Sequence, residues 1–233
     1  MKLLYLLILC YSISVIGQIK NGTIEYGLNI EMLEGLKENG PFKKMYNEAV
    51  NNAKYLRFNL VFNRDNSFFS LANSLVVGEE NNTQSAIIAS GFKGVVYQSK
   101  ELSYTEIEKG FGNYLLINEP VEWLLTNETK EIEGFLCYKA TTFKIIVNPS
   151  GTFKFPVIAW YCPKIPLSYG PNGYGKLPGL ILELQVRNVL FGIKKFNLNL
   201  TKDPELAKMK DYKIVNEKEL NEIMEKKLRK NNY

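Results

Sequence analysis

The sequence predicts an α+β domain: a large, curved antiparallel β-sheet with one or two helices packed on its concave face. Three observations carry this. Much of the chain alternates apolar and polar residues with a period of two, such stretches follow one another across short turn segments, and two segments show the helical period instead. Short connections favour an antiparallel meander, because parallel pairs need crossovers of a dozen or more residues. With 233 residues, 45% of them hydrophobic, the chain can bury one core, so a single domain is expected over residues 18–233.

The chain opens MKLLYLLILCYSISVIGQ, with Lys2, an apolar run at 3–9, and small or apolar residues before Gln18. That is a secretory signal over residues 1–17, with Val15 and Gly17 placing cleavage before Gln18. The run is too short and interrupted for a membrane span, and no later stretch offers ~20 uninterrupted apolar residues. Leu7, Ile8 and Leu9 stand before Cys10 where a lipid-modified cysteine needs a small residue, so no lipid anchor is expected there. The mature chain is read as exported to the periplasm or outer envelope, with no transmembrane segment.

TIEYGLNI (23–30) reads as the first strand. Asn39, Gly40 and Pro41 introduce a helix in which Pro41 suits the first position and Phe42, Met45, Tyr46, Ala49, Val50 and Ala53 share a face. From Tyr55 the period drops to two: Leu56, Phe58, Leu60 and Phe62 alternate with Tyr55, Arg57, Asn59 and Val61. NRDN (63–66) turns the chain into SFFSLAN, and residues 78–91 read as a mobile loop. Further strands are expected at 94–98, 101–107, 113–118, 121–126, 135–147, 152–162 and 180–193, followed by KKFNLNL (194–200). A closing helix at 216–228 puts Leu220, Ile223, Met224 and Leu228 on one face, with Asn216 as its cap.

The net charge is +5, from 29 basic and 24 acidic residues. Much of the excess lies in KKLRKNNY, where it suits a solvated helix end, and no basic patch interleaved with aromatics points to nucleic acid. Histidine is absent. Histidine general bases, Ser-His-Asp and Cys-His nucleophile systems and imidazole zinc sites are therefore excluded. No catalytic residues, metal site or cofactor are predicted. Glu119, Glu122, Glu128, Glu131 and Glu133 cluster around a turn as a solvated rim. Glu183 stands among apolar neighbours in a strand and is expected to face solvent rather than act as a tuned acid or base.

Removal of the signal leaves Cys137 and Cys162, a disulfide candidate in an oxidising compartment. Between them NPSG (148–151) is a type I turn signature. A two-residue loop at Pro149 and Ser150 sets partner numbers to a sum of 299, which places Cys137 opposite Cys162 at a separation compatible with a disulfide. A glycine bulge at Gly151 would shift the sum to 300 and oppose Cys162 to Tyr138. The alternative to a disulfide is two buried thiols acting as small hydrophobes.

GPNGYGKLPGLILEL (170–184) carries most of a phosphate-loop signature in Gly170, Gly175 and Lys176. Leu177 replaces the required hydroxyl, however, and Pro178 and Gly179 occupy what should be the first helical turn. Leu180, Leu182, Leu184 and Val186 then alternate with Ile181, Glu183, Gln185 and Arg187 as a half-buried strand, so phosphate binding is rejected. Two readings remain. In one, Gly170, Pro171, Gly173, Gly175, Lys176, Pro178 and Gly179 form a connection that lets the chain bend closely before a core strand. In the other, Tyr169, Tyr174 and Leu177 form the rim of an apolar ligand site.

At these residues the sequence resembles the GLPGLI family of exported Bacteroidetes proteins, whose motif reads here Lys176-Leu177-Pro178-Gly179-Leu180-Ile181. Lys176 stands where the family name has glycine. The similarity runs upstream through AWYCPKIPLSYGP (159–171) and WLLTNETKEIEGFLCYKATT (123–142). The resemblance implies export but transfers no catalytic residue. It also implies an open half-barrel similar to that of periplasmic lipoprotein carriers, in which a bent sheet wraps a helix and shelters an acyl chain. The expected function is therefore non-catalytic binding of an apolar or amphipathic ligand, lipid or peptide. The alternative is a structural or assembly partner of an envelope complex, docking through a sheet edge or the 168–179 loop.

Overall fold

A computed structural model describes residues 19–33, 40–72, 83–109, 112–148 and 150–231. The expected signal peptide and its cleavage site lie outside the described residues. The strands are β1 (Gly22–Ile30), β2 (Arg57–Phe62), β3 (Asn66–Leu71), β4 (Val96–Ser99), β5 (Ser103–Lys109), β6 (Gly112–Ile117), β7 (Leu124–Ile132), β8 (Phe135–Asn148), β9 (Gly151–Cys162), β10 (Leu180–Val186), β11 (Val189–Leu198) and β12 (Lys213–Val215). The helices are α1 (Pro41–Asn52), α2 (Gln84–Ala89) and α3 (Glu217–Asn231). Among the described residues all twelve strands join one sheet, in the order β12-β6-β5-β4-β3-β2-β1-β11-β10-β9-β8-β7, which is not closed into a barrel. Neighbours run antiparallel except β12, which joins β6 in parallel.

The period-two segments become strands because alternate side chains reach opposite faces and one set is apolar. In β2, Phe58, Leu60 and Phe62 are wholly buried while Arg57, Asn59 and Val61 are not. These residues join Tyr26, Phe69 and Phe191 in the main core, to which α1 adds Tyr46 and Ala49, the turn after it Ala53, and α2 Ala86. The apolar stripe of α1 is narrower than its periodicity predicts, since Phe42 and Met45 stay exposed. At the other end of the sheet Leu220 of α3 packs with Ile107, Leu116 and Val215 in a second, smaller cluster. The predicted cap of α3 is a reciprocal pair: Glu219 N–H donates to Asn216 Oδ1 (2.9 Å) and Asn216 N–H to Glu219 Oε2 (3.0 Å).

Several elements depart from the sequence expectation. The strand expected at 121–126 is β7, which runs on to Ile132 and so carries Glu128 and Glu131 on a strand rather than around a turn. The segment expected as one strand over 180–193 is the hairpin β10–β11, reversing at Arg187 and Asn188. Arg187 has φ 57°, a region disfavoured for a non-glycine residue, so no glycine or proline marks the turn. The loop expected at 78–91 contains α2, whose polar start at Gln84 and Ser85 disguised a helix that buries Ala86. Strand β12 has three residues, too few to show a period. It is reached through a strap that ties to β5, where Lys210 Nζ lies 2.8 Å from Glu106 Oε1; Tyr97 of β4 donates to the same carboxylate at Oε2 (2.9 Å). The Lys210 ammonium, with the Tyr212 hydroxyl, also holds the Glu108 carboxyl down to about 2.

Candidate functional site

The 163–179 connection between β9 and β10 folds back against the strand it feeds. Leu180 N–H donates to Ile165 O (2.9 Å), Ile181 N–H to Tyr169 O (3.0 Å) and Lys176 N–H to Ser168 O (2.9 Å). The backbone of the segment is held from two further elements: Gln98 of β4 donates through Nε2 to Gly173 O (2.9 Å) and Trp123 through Nε1 to Gly175 O (2.8 Å). Close approach explains the glycines. A Cβ at Gly175 would lie 2.5 Å from Ser168 O, and one at Gly179 would lie 2.3 Å from Cys162 O. Lys176 has φ 65°, so a lysine occupies a left-handed position that glycine takes more readily. A strand, not a helix, follows at β10, which leaves no helix N-terminus to cradle phosphate.

The three proposed rim residues divide. Tyr169 and Leu177 are buried in the main core, and among the described residues the Tyr169 hydroxyl has no hydrogen-bond partner. Burial pushes that phenol up to about 12. Tyr174 is half-buried, packs its ring 6.1 Å from that of Trp123, and borders a cavity of about 550 Å³. Asn172 and Gly173 border it too, Asn172 in a left-handed conformation (φ 52°) with its Nδ2 3.4 Å from Gly91 O.

The remaining walls come from both halves of the sheet. Thr105, Leu116 and Ile117 of β5 and β6, the 118–122 link, and Thr142, Phe143, Lys144 and Ile145 of β8 line the cavity. Strands β6 and β8 stand far apart in the sheet order, so the sheet curls enough to bring them to one space. At one side Lys93 lies 3.6 Å from Glu217. Beside them the Lys144 ammonium is pushed below its ordinary range, first by burial, then by the like charge of Lys93, with Glu217 opposing. Glu119 and Glu122 line another part of the wall. Chemically this is a mixed cleft: aliphatic and aromatic walls, a cation that burial makes less costly to neutralise, and a carboxylate already engaged by Lys93. Sequence reasoning found Tyr174 and missed the opposite wall, because 93, 116–122 and 142–145 are scattered in sequence and share no local motif.

The acidic residues considered earlier do not converge on this space as a pair with Glu183. Glu183 Oε1 lies 2.6 Å from Lys130 Nζ, whose ammonium sits 5.1 Å over the Trp160 ring. The ion pair and cation–π contact are a satisfied surface arrangement. Among the described residues no group of three or more Cys, Asp or Glu side chains is placed to hold a metal ion.

The β8–β9 hairpin pairs with numbers summing to 299, from Asn148 with Gly151 to Tyr138 with Tyr161. Cys137 and Cys162 come next in that register. Both are buried thiols, and the Cys137 thiol donates to Phe135 O (3.5 Å). The Cys137 thiol nearby holds Cys162 down to about 7, aided by the N–H groups of Lys164 and Ile165, while Cys162 and burial push Cys137 up.

Residues 150–183 match the model of a family described as a protein of unknown function (Porph_ging). The matched stretch spans β9, the glycine-proline connection and the start of β10. Two solved structures of PNGF-II, in space groups P21 and C2, are similar in fold, with TM-scores of 0.50 and 0.51 and sequence identities of 11% and 14%. The alignments cover 88% of this chain but 33% and 32% of theirs, so the chain spans about a third of the length of those proteins. No curated protein matches the chain.

Proposed function

We propose that the chain is an exported, non-catalytic envelope protein of the GLPGLI type, which binds an amphipathic ligand, lipid or peptide, in the cavity bordered by Tyr174. One observation carries this reading: the curl of the sheet leaves a space of about 550 Å³ between β6 and β8, within the range of small-molecule sites. Leu116, Ile117, Val121, Phe143 and Ile145 offer the apolar walls, and Lys144 an ammonium for an acidic head. Tyr169 and Leu177 support the site from beneath, holding the segment that presents Tyr174. The 168–179 segment suits a partner-docking role less well, because Gly170, Pro171, Gly175, Leu177 and Gly179 are turned inward.

The reading is tested with 1-anilinonaphthalene-8-sulfonate, an apolar body bearing one anion, on the chain from residue 18. Tyr174→Ala and Lys144→Gln are each expected to weaken binding by roughly fivefold, the value of about 1 kcal/mol of contact or charge. Because burial lowers the Lys144 pKa, its charge is lost earlier than an ordinary lysine's as the pH rises. Affinity for the anion should therefore fall on the alkaline side in the parent and stay flat in Lys144→Gln. Parental affinity in both variants, with the chain purified from its host consistently empty by native mass spectrometry, would remove the proposal.

We further propose that Cys137 and Cys162 form a disulfide in the exported chain, a reading supported by the hairpin register summing to 299 and by the burial of both thiols. Intact-mass measurement without reductant is expected to show a species lighter by two hydrogens that resists alkylation even when unfolded. Two alkylated cysteines in the unfolded, unreduced chain would overturn this.

A further inference from the structure

The β8–β9 hairpin outruns its neighbours. Pairing with β7 stops at Leu124 opposite Thr141, and pairing with β10 stops at Val186 opposite Val157, with Arg187 N–H on Pro156 O as the last tie. Beyond that point two strands continue alone to the turn between Asn148 and Gly151, roughly 17 Å at the rise of an antiparallel strand. A bare two-stranded ribbon is marginal in water unless one face finds cover.

This ribbon is apolar on both faces. Phe143, Ile145 and Val147 project to one side, and Val147 is 75% exposed. Ile146, Phe153 and Phe155 project to the other, with Ile146 and Phe153 exposed as well and the rings of Phe153 and Phe155 stacked 6.5 Å apart. A second copy or a folded partner would cover one face and leave the other wet. A medium that surrounds the tip covers both.

Charge selects the medium. Between Phe143 and Pro156 the ribbon carries no acidic residue and has two lysines, Lys144 and Lys154, while Lys139 further back is already paired with Glu128. Lys154 is exposed on the ribbon, and the Arg187 guanidinium lies 4.5 Å over Phe155 at its base. Apolar side chains at a tip with cations behind them match an anionic bilayer, where the apolar groups enter the headgroup–acyl boundary and the cations meet lipid phosphates. The unpaired edges of the ribbon set the depth, because bare N–H and C=O groups are costly in hydrocarbon.

We propose that the β8–β9 ribbon is a membrane-docking element that inserts its tip into the interface of an anionic lipid bilayer. This goes beyond cavity binding: Phe143 and Ile145 border both surfaces, whereas Val147, Phe153 and Lys154 do not line the cavity and distinguish docking from it.

The test is co-sedimentation of the chain from residue 18 with phosphatidylcholine vesicles made with and without phosphatidylglycerol. The parent is expected to partition onto the anionic vesicles, with salt weakening the partition. The double variant Val147→Asp/Phe153→Asp should lose at least about tenfold, and Lys154→Glu roughly fivefold or more. Both sites are exposed, so circular dichroism and thermal midpoint should match the parent. A nitrobenzoxadiazole label on Val147→Cys should brighten and shift to the blue on anionic vesicles. A parent that stays in the supernatant, a double variant that partitions like the parent, or a label that stays wet would overturn the proposal. So would a parental dimer in sedimentation velocity that the double variant abolishes, which would assign the ribbon to a second copy.

Discussion

Phe58→Ala is expected to lower the unfolding free energy by about 4 kcal/mol, and the thermal midpoint by roughly 10 °C. The effect is large because Phe58 is the hub of the aromatic core. Its ring stacks on Phe69 at 5.5 Å with 4° between planes, and meets Phe92 and Phe191 edge-on, each at 5.3 Å. Truncation removes the buried apolar area and three ring contacts together, and leaves a void between rings anchored on β3 and β11 and the segment after α2. Those anchors are strands on opposite sides of β2 and β1, which cannot collapse inward without breaking ladders. Phe58→Leu keeps most of the volume and should cost about 1–2 kcal/mol. Urea unfolding of the parent and both variants measures this. An alanine variant within about 1 kcal/mol of the parent would show that the core is not packed as described.

The alternation that places Phe58 inside was readable because the polar Arg57 and Asn59 flank it in β2. The same holds for the β8–β9 register, where NPSG pins the turn and a period of two does the rest. Other features had no local signal. The turn at Arg187 and Asn188 uses a left-handed arginine, α2 is only six residues long and opens on the polar Gln84 and Ser85, and β12 exists because Lys210 and Tyr212 tie the strap to β5. The curl that forms the cavity is a property of the whole sheet. It arises from strand twist and from the register shifts at Glu25 and Tyr26, Ile181 and Glu183, and between Leu125 and Thr129, none of which a residue period encodes.

At the candidate site, the glycine-proline composition pulled attention from a signal that was present. Ile165, Leu167 and Tyr169 alternate with Pro166, Ser168 and Gly170, a two-residue period inside a segment whose prolines and glycines read as loop. The side chains so marked are core-facing, which is why Tyr169 belongs with the packing and Tyr174, outside that period, borders the cavity. The opposite wall could not be found this way. Lys93, Val121 and Lys144 meet only after the two halves of the sheet approach.

Gly179→Ala is expected to destabilise the fold by about 2–3 kcal/mol, whereas Gly192→Ala should change it by no more than about 0.5 kcal/mol. Gly179 immediately precedes β10 and Gly192 lies in its partner strand β11, so composition alone does not separate them. A Cβ at Gly192 meets nothing within 4 Å. At Gly179 it would lie 2.3 Å from Cys162 O, 2.5 Å from Cys162 C and 2.8 Å from Pro163 N, all main-chain atoms. No side chain can swing away, so the end of β9 or the start of β10 must move. Movement there disturbs the Leu180 bond to Ile165 O and the approach of Cys162 to Cys137 together. Gly179→Ala should therefore also slow oxidation of the cysteine pair, while Gly192→Ala leaves it at the parental rate. Urea unfolding measures the first effect and timed alkylation of the reduced chain during reoxidation the second. Equal stability in the two variants would show that the motif glycine serves something other than this close approach of backbone to backbone.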